Sequence, residues 1–194
     1  MATSTDSVEL VGDEVTRNLA RAALFAALMG AFAYVSFPNP LSPGIPVTLQ
    51  VLGVFLAGIF LGPIWGGFAM VLYLLAGALG LPVFSGGSAG FGALVSQTGG
   101  YLVSYPFAAA VVGLGVHGVG DLADPRLVSV GRLVAAMVAG TVVIYTLGIL
   151  GFWYVGDVGI VTAVVGAAVA FVPVEALKIA AAVGIVRSEA VAAR

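Results

Sequence analysis

Long apolar runs, cut mainly by prolines and glycines, set the limits on what this chain can become. A helix needs about twenty predominantly apolar residues to cross a hydrocarbon core of roughly 30 Å, and the sequence offers such runs repeatedly. Of its 194 residues, 61% are hydrophobic and 8% are charged, against about 25% charged in a soluble domain. A water-soluble particle of this size has no interior large enough for so much apolar surface, so lipid must solvate much of it. The fold class is therefore an all-α integral membrane bundle, and the length fits a single domain.

The 28 glycines and many alanines suit helices that approach closely where lipid supplies no hydrophobic drive. The absence of cysteine rules out disulfides and thiolate metal sites, and neither a metal nor a cofactor is expected. A net charge of −2 offers no basic stripe for phosphates, which argues against a nucleic-acid partner. Residues 1–16 carry Asp6, Glu9, Asp13 and Glu14, the reverse of a basic signal-peptide n-region. They read as a short, disordered, solvated tail, with residues 17–194 forming the membrane domain.

Six spans are expected. The first runs from about Asn18 to Phe37 and stops at "FPNPLSPGIP"; the second starts near Val47 and ends at Gly62, where "LGP" makes a tight reversal. The third runs from Pro63 to Leu81, the fourth from about Gly100 to Val119 and the fifth from about Val130 to Val155. The stretch from Val158 to Val186 is longer than one untilted span requires. Pro173 would break or kink a helix there. Residues 158–171 therefore read as a short lateral or re-entrant helix before a sixth span from about Pro173 to Ala190, with the proline in its first turn.

The basic residues set the orientation. Arg17 and Arg21 precede the first span, Arg126 and Arg132 lie between the fourth and fifth, and Arg187 and Arg194 follow the sixth. The connections one–two, three–four and five–six contain no Lys or Arg. The positive-inside rule then places both termini in the cytoplasm.

Within "FVPVEALKIAAAVG", residues 171–184, Glu175 and Lys178 stand three apart, and Asp157 is the only other charge between Arg132 and Arg187. At that spacing the two share a helix face. A charge in mid-membrane costs roughly 2.5–3.5 kcal/mol on insertion scales and usually faces a cavity or a partner. One reading is a plain i,i+3 salt bridge near a helix end, with Lys178 snorkelling to the interface. The other is a polar anchor for a ligand arriving from outside, because glycine-rich irregular backbone at membrane depth is tolerated only where it is buried or lines a cavity. A carboxylate that accepts two N–H bonds beside an ammonium that donates to a carbonyl complements a cyclic urea, an amide or an amino acid. Thr48 and Gln50, with Ser85, Ser88, Gln97, Thr98 and Tyr101 on or beside the glycine-rich connection, are the further polar candidates. In that connection "VFSGGSAGFG" places Phe84 and Phe91 on what reads as a lid. His117, the one histidine, reads as a solvated residue at a loop edge.

Three segments, "PVTLQVLGVFLAGIFLGPIWGGFAMVLYLLAGALGLPVFSGG", "SQTGGYLVSYPFAA" and "FVPVEALKIA", resemble in that order the BioY family. These are the biotin-capturing S-components of energy-coupling-factor (ECF) transporters. The resemblance covers roughly residues 20 to 190. It implies a six-helix protein of the cytoplasmic membrane that captures biotin outside and works with a transmembrane coupling protein and a pair of cytoplasmic ATPases. The absence of a G-x-x-x-x-G-K-[ST] loop agrees with an energy source elsewhere. Pro173, Glu175 and Lys178 match the spacing of the family's span-six motif, with Glu in place of Asp. The resemblance implies that Glu175 accepts from a ureido N–H and that Lys178 donates to the ureido oxygen or a neighbouring carboxylate. Family members often carry a basic residue in the outer loop, and this sequence has none there. Helix one holds two small-residue ladders, Ala22–Ala26–Gly30 and Ala23–Ala27–Ala31, and the resemblance makes one of them the face for the coupling protein.

Two other functions compete. A self-sufficient carrier or channel for a small polar solute would show internal repeats, and the two halves show no clear one. An intramembrane enzyme would need a constellation such as H-E-x-x-H, G-x-S-x-G or paired intramembrane aspartates, and none occurs. A binding and transport role, not an enzyme, is expected.

Overall fold

The computed structural model describes residues 12–39 and 45–188. Most of the expected acidic tail, residues 1–11, and part of the proline-rich connector lie outside the described residues. Helix α1, Asp13–Tyr34, begins inside the stretch expected to be tail. Asp13 and Glu14 occupy its first turn, where carboxylates favour a helix because they face the positive end of its dipole. A two-residue ribbon then pairs β1 (Ser36–Phe37) with β2 (Val47–Thr48) in antiparallel register, Ser36 opposite Thr48. It delivers the chain to α2, Gln50–Ala78.

Helix α2 is folded back on itself. Gly62 sits at φ 75°, ψ −175°, outside helical space and in a region that suits glycine. Gln50 Nε2 donates to Tyr73 Oη at 2.7 Å, although 23 residues of straight helix would hold them roughly 35 Å apart. The arms, residues 50–61 and 63–78, pack so closely that a Cβ on Gly66 would lie 2.9 Å from the Ala57 carbonyl oxygen. The reversal expected at "LGP" is therefore present. Pro63 has no N–H to offer the Ile59 carbonyl four residues back. His117 supplies the substitute: its Nε2 lies 2.9 Å from that oxygen. The expectation of a solvated His117 is corrected by this arrangement, since the residue is 9% exposed and part of the hairpin's construction.

Helix α3 spans Gly99–His117 and α4 spans Val130–Gly156. A short helix, α5 (Ile160–Ala167), and a 3-10 turn at Val169–Phe171 precede α6, Val172–Arg187. The expected short helix before a final helix with Pro173 in its first turn is present. Val54, Phe55, Ile59, Met70, Tyr73, Val112, Met137 and Ile144 form the core between the α2 hairpin, α3 and α4. Towards α5 and α6 the chain is progressively less enclosed. By length and hydropathy, four described stretches can cross a membrane: Gln50–Ala78, Gly99–His117, Val130–Gly156 and Ile160–Arg187. That is fewer than the six expected. The hairpin counts once although its arms run in opposite directions, and α1 does not qualify on these criteria.

The two ladders of α1 part company. Ala22 and Gly30 are buried, and Gly30 meets Val83 so closely that an added Cβ would lie 3.3 Å from it. Ala22–Ala26–Gly30 thus packs within the bundle. Ala23, Ala27 and Ala31 are exposed.

One end of the bundle gathers the basic groups. Ser129 caps α4 by accepting from the Arg132 amide at 3.3 Å, and Arg132 Nε donates to the Gly115 carbonyl at 2.7 Å. Arg187 donates to the Val128 carbonyl and ties the end of α6 to the α3–α4 loop. In that loop Arg126 grips Asp124 at 2.7 Å, and these hydrogen bonds hold the Asp124 carboxyl below its ordinary pKa.

Candidate ligand-binding site

The opposite end contains a cavity of about 440 Å³, within the range of small-ligand pockets. It opens among β2 and the start of α2, the first half of α3, the later part of α4, the first turns of α6, and the glycine-rich connection. That connection is drawn inward by Phe84, which is 1% exposed. Its ring sits where a side chain at position 77 would have to go, and it meets Tyr73 edge-on with centroids 5.4 Å apart. Phe91 does not share this role: it is exposed, so only one of the two aromatics expected to pull the lid down does so.

Glu175 and Lys178 line the cavity and are buried, 4% and 5% exposed. Lys178 Nζ donates to Glu175 Oε1 at 2.7 Å. Tyr145 Oη, from α4, donates to the same oxygen at 3.0 Å. One carboxylate oxygen is thus doubly satisfied, and Oε2 meets no donor among the described residues. The ammonium has three protons, one of them used here. The pair therefore presents an acceptor and spare donors side by side. Tyr101 stands edge-on to Tyr145 at 5.9 Å, and Phe171 is tilted against Tyr145 at 6.1 Å. These rings exclude water around the pair and strengthen any hydrogen bond made there.

Thr48 and Gln50 line the cavity and also brace it. Thr48 Oγ1 donates to Gln50 Oε1 at 3.0 Å, Gln50 Nε2 donates to Tyr73 Oη, and Tyr73 Oη donates to the Val83 carbonyl at 3.0 Å. This relay fixes the glycine-rich connection against the α2 hairpin. Ser85, Ser88, Thr98 and Tyr101 also line the cavity, as expected. Gln97 does not: it is exposed and lies beside Gly156 at the end of α4, where a Cβ would be 3.3 Å from its Nε2. Its neighbour Thr98 turns inward instead, because consecutive residues in the turn leading into α3 point in different directions.

Sequence reasoning missed Tyr145, Tyr105, Ser96 and Phe171, all of which line the cavity. Ser96 and Phe171 flank residues already singled out. Tyr145 and Tyr105 lie in the interior of long apolar helices, where an aromatic gives no sign of facing a site.

An apolar helical bundle with a buried ion pair in an aromatic-walled cavity defines a class: multi-pass membrane proteins that hold a small polar molecule. The family follows from comparison. The chain matches the BioY family over residues 2–193 and belongs to it. A biotin transporter BioY of Rhodobacter capsulatus is 42% identical over 144 residues, 74% of this chain and 73% of that protein. One of Rhizobium etli is 39% identical over 171 residues, 84% and 87% of the respective chains. The crystal structure of the S-component for biotin from an ECF-type ABC transporter is similar in fold, with a TM-score of 0.79 across 92% of this chain and 93% of that one, at 22% identity.

Proposed function

We propose that this chain captures biotin at the outer face of the cytoplasmic membrane and takes part in its uptake as the substrate-binding subunit of an ECF-type transporter. The observation that carries the reading is the buried Glu175–Lys178 pair with Glu175 Oε2 unpartnered among the described residues. A ureido group offers N–H donors to Oε2 and a carbonyl oxygen to Lys178, and its ring fits among Tyr101, Tyr145 and Phe171. Burying such a pair without a ligand to complete its hydrogen bonds is unfavourable, so the arrangement makes most sense as a binding device. Thr48, Gln50, Ser85, Thr98 and Tyr101 contribute to the same site in this reading.

In the membrane the six spans are α1, the two arms of α2, α3, α4 and α6, with α5 lying laterally. Both termini face the cytoplasm, as does the end that carries Arg126, Arg132 and Arg187. The cavity then opens outward. The exposed ladder Ala23–Ala27–Ala31 is the face for the transmembrane coupling protein, with the ATPase pair beyond it. The protein is a transporter subunit, not an enzyme.

Uptake of labelled biotin by cells lacking their own biotin transporter tests this. Expression of the chain with a coupling protein and ATPase pair is expected to restore uptake, and the Lys178→Ala variant to abolish it. Uptake unchanged by Lys178→Ala would contradict the assignment of the site.

A further inference from the structure

The charge balance of the cavity and the direction of its hydrogen bonds bear on how the far end of a ligand is read. Among the described residues that line it, Glu175 and Lys178 alone are charged, and they pair at 2.7 Å. No Lys or Arg occurs anywhere between Arg21 and Arg126, the stretch that supplies most of the lining. The other described basic side chains lie elsewhere: Arg126, Arg132 and Arg187 are bonded at the opposite end, and Arg17 and Arg21 sit in the first turns of α1.

Four other hydroxyls that line the cavity donate within the protein. Ser88 Oγ donates to the Ser85 carbonyl at 3.0 Å, and Ser96 Oγ to the Ala93 carbonyl at 2.8 Å. Thr98 Oγ1 lies 3.3 Å from Ser96 Oγ. With the Ser96 proton on Ala93, Thr98 is the donor in that contact. Thr48 likewise donates to Gln50. Each hydroxyl has one proton and two lone pairs; Thr48 Oγ1 already accepts from the Gln50 amide at 3.3 Å and Ser96 Oγ from Thr98, so each of these keeps one lone pair for a ligand, while Ser88 and Thr98 keep two. Ser85 adds one further hydroxyl, which can donate as well as accept.

A carboxylate is acceptor-only and negatively charged. Placed against those four hydroxyls it finds lone pairs, and its charge is not offset by a nearby cation. A primary carboxamide is neutral and carries two N–H donors. We propose that this site reads the head of its ligand at Glu175 and Lys178 and is built to take a neutral, hydrogen-donating tail, so that the carboxamide of biotin binds at least as well as the acid. The proposal rests on the biotin reading above and deepens it, because it names amide-ended biotin derivatives as a ligand class of the same site.

Calorimetric titration of the full chain in detergent with biotin, biotinamide and biotin methyl ester at one pH tests it. The amide is expected to bind as tightly as the acid or up to about fivefold more tightly, the return of roughly one net hydrogen bond. The ester, neutral but without N–H, is expected to bind more weakly than the amide. A Ser88→Ala, Ser96→Ala double variant removes two acceptors that line the cavity and is expected to erase the difference between amide and ester. An amide bound more than about tenfold more weakly than the acid, the scale of a charge-assisted contact, would overturn the proposal and leave the biotin reading intact. Binding of none of the three would overturn the biotin reading and this proposal with it.

Discussion

At the scale of single residues, the site turns on how one carboxylate is held. Lys178 and Tyr145 both donate to Glu175 Oε1, which fixes the carboxylate plane and leaves Oε2 as the defined acceptor. Tyr145 is a positioning residue in this account: it acts on the ligand through Glu175. The Tyr145→Phe variant keeps the ring that packs on Tyr101 and Phe171 and removes only the hydroxyl. It is expected to weaken biotin binding by about fivefold, the return of one net hydrogen bond, with little change in thermal stability. A loss of stability with unchanged affinity would make the tyrosine structural only. The ion pair was legible in the sequence because charge is costly in an apolar run and the i,i+3 spacing fixes a shared face. Tyr145 was not, because its meeting with Glu175, 30 residues away, depends on how α4 and α6 pack. Gln97 reads as a site residue by its polarity alone, and the turn into α3 directs Thr98 and not Gln97 into the cavity.

At the scale of elements, the α2 hairpin organises the bundle. Its break was readable from the adjacent glycine and proline, since one reaches positive φ and the other cannot donate. The cap on that break was not readable. His117 lies 58 residues from Ile59, and a histidine at the end of an apolar run looks like a residue leaving the membrane. Its contact replaces the hydrogen bond that Pro63 cannot make. In the His117→Ala variant the Ile59 carbonyl is left buried and unsatisfied, which costs about 1–3 kcal/mol. Thermal unfolding in detergent is expected to show a lowered midpoint, with biotin affinity at low temperature within about twofold of wild type because the cap lies at the far end from the cavity. An unchanged midpoint would show that water or a rearranged turn meets the carbonyl equally well. The two ladders of α1 show the same limit of sequence reading. Their spacing identifies close-packing faces, and only the position of Val83 decides that Gly30 faces inward.

At the scale of the whole molecule, apolar runs and basic residues together give a testable topology. The four stretches that qualify by length and hydropathy differ from the six-span reading for a physical reason. The arms of α2, at roughly 18 and 24 Å by helical rise, are each short of a full crossing. The chain contains no cysteine, so single introduced thiols report sidedness directly. Phe91→Cys, in the exposed part of the glycine-rich connection, is expected to react with a membrane-impermeant maleimide in intact cells. Asp124→Cys, in the α3–α4 loop, is expected to react only after permeabilisation. The reverse pattern would invert the orientation and place the cavity on the cytoplasmic side.

The central claim is that a buried Glu175–Lys178 pair binds biotin, and the most direct test is calorimetric titration of the purified, detergent-solubilised chain alone. Wild type is expected to bind one biotin tightly without ATP. Lys178→Ala removes one partner of a buried pair, a change that costs about 3–5 kcal/mol, and binding is expected to fall by a factor on the order of a hundred or more. Asp157→Asn, at the exposed end of α4, is expected to bind as wild type does. Equal biotin affinity in wild type and Lys178→Ala, with both proteins folded, would contradict the account.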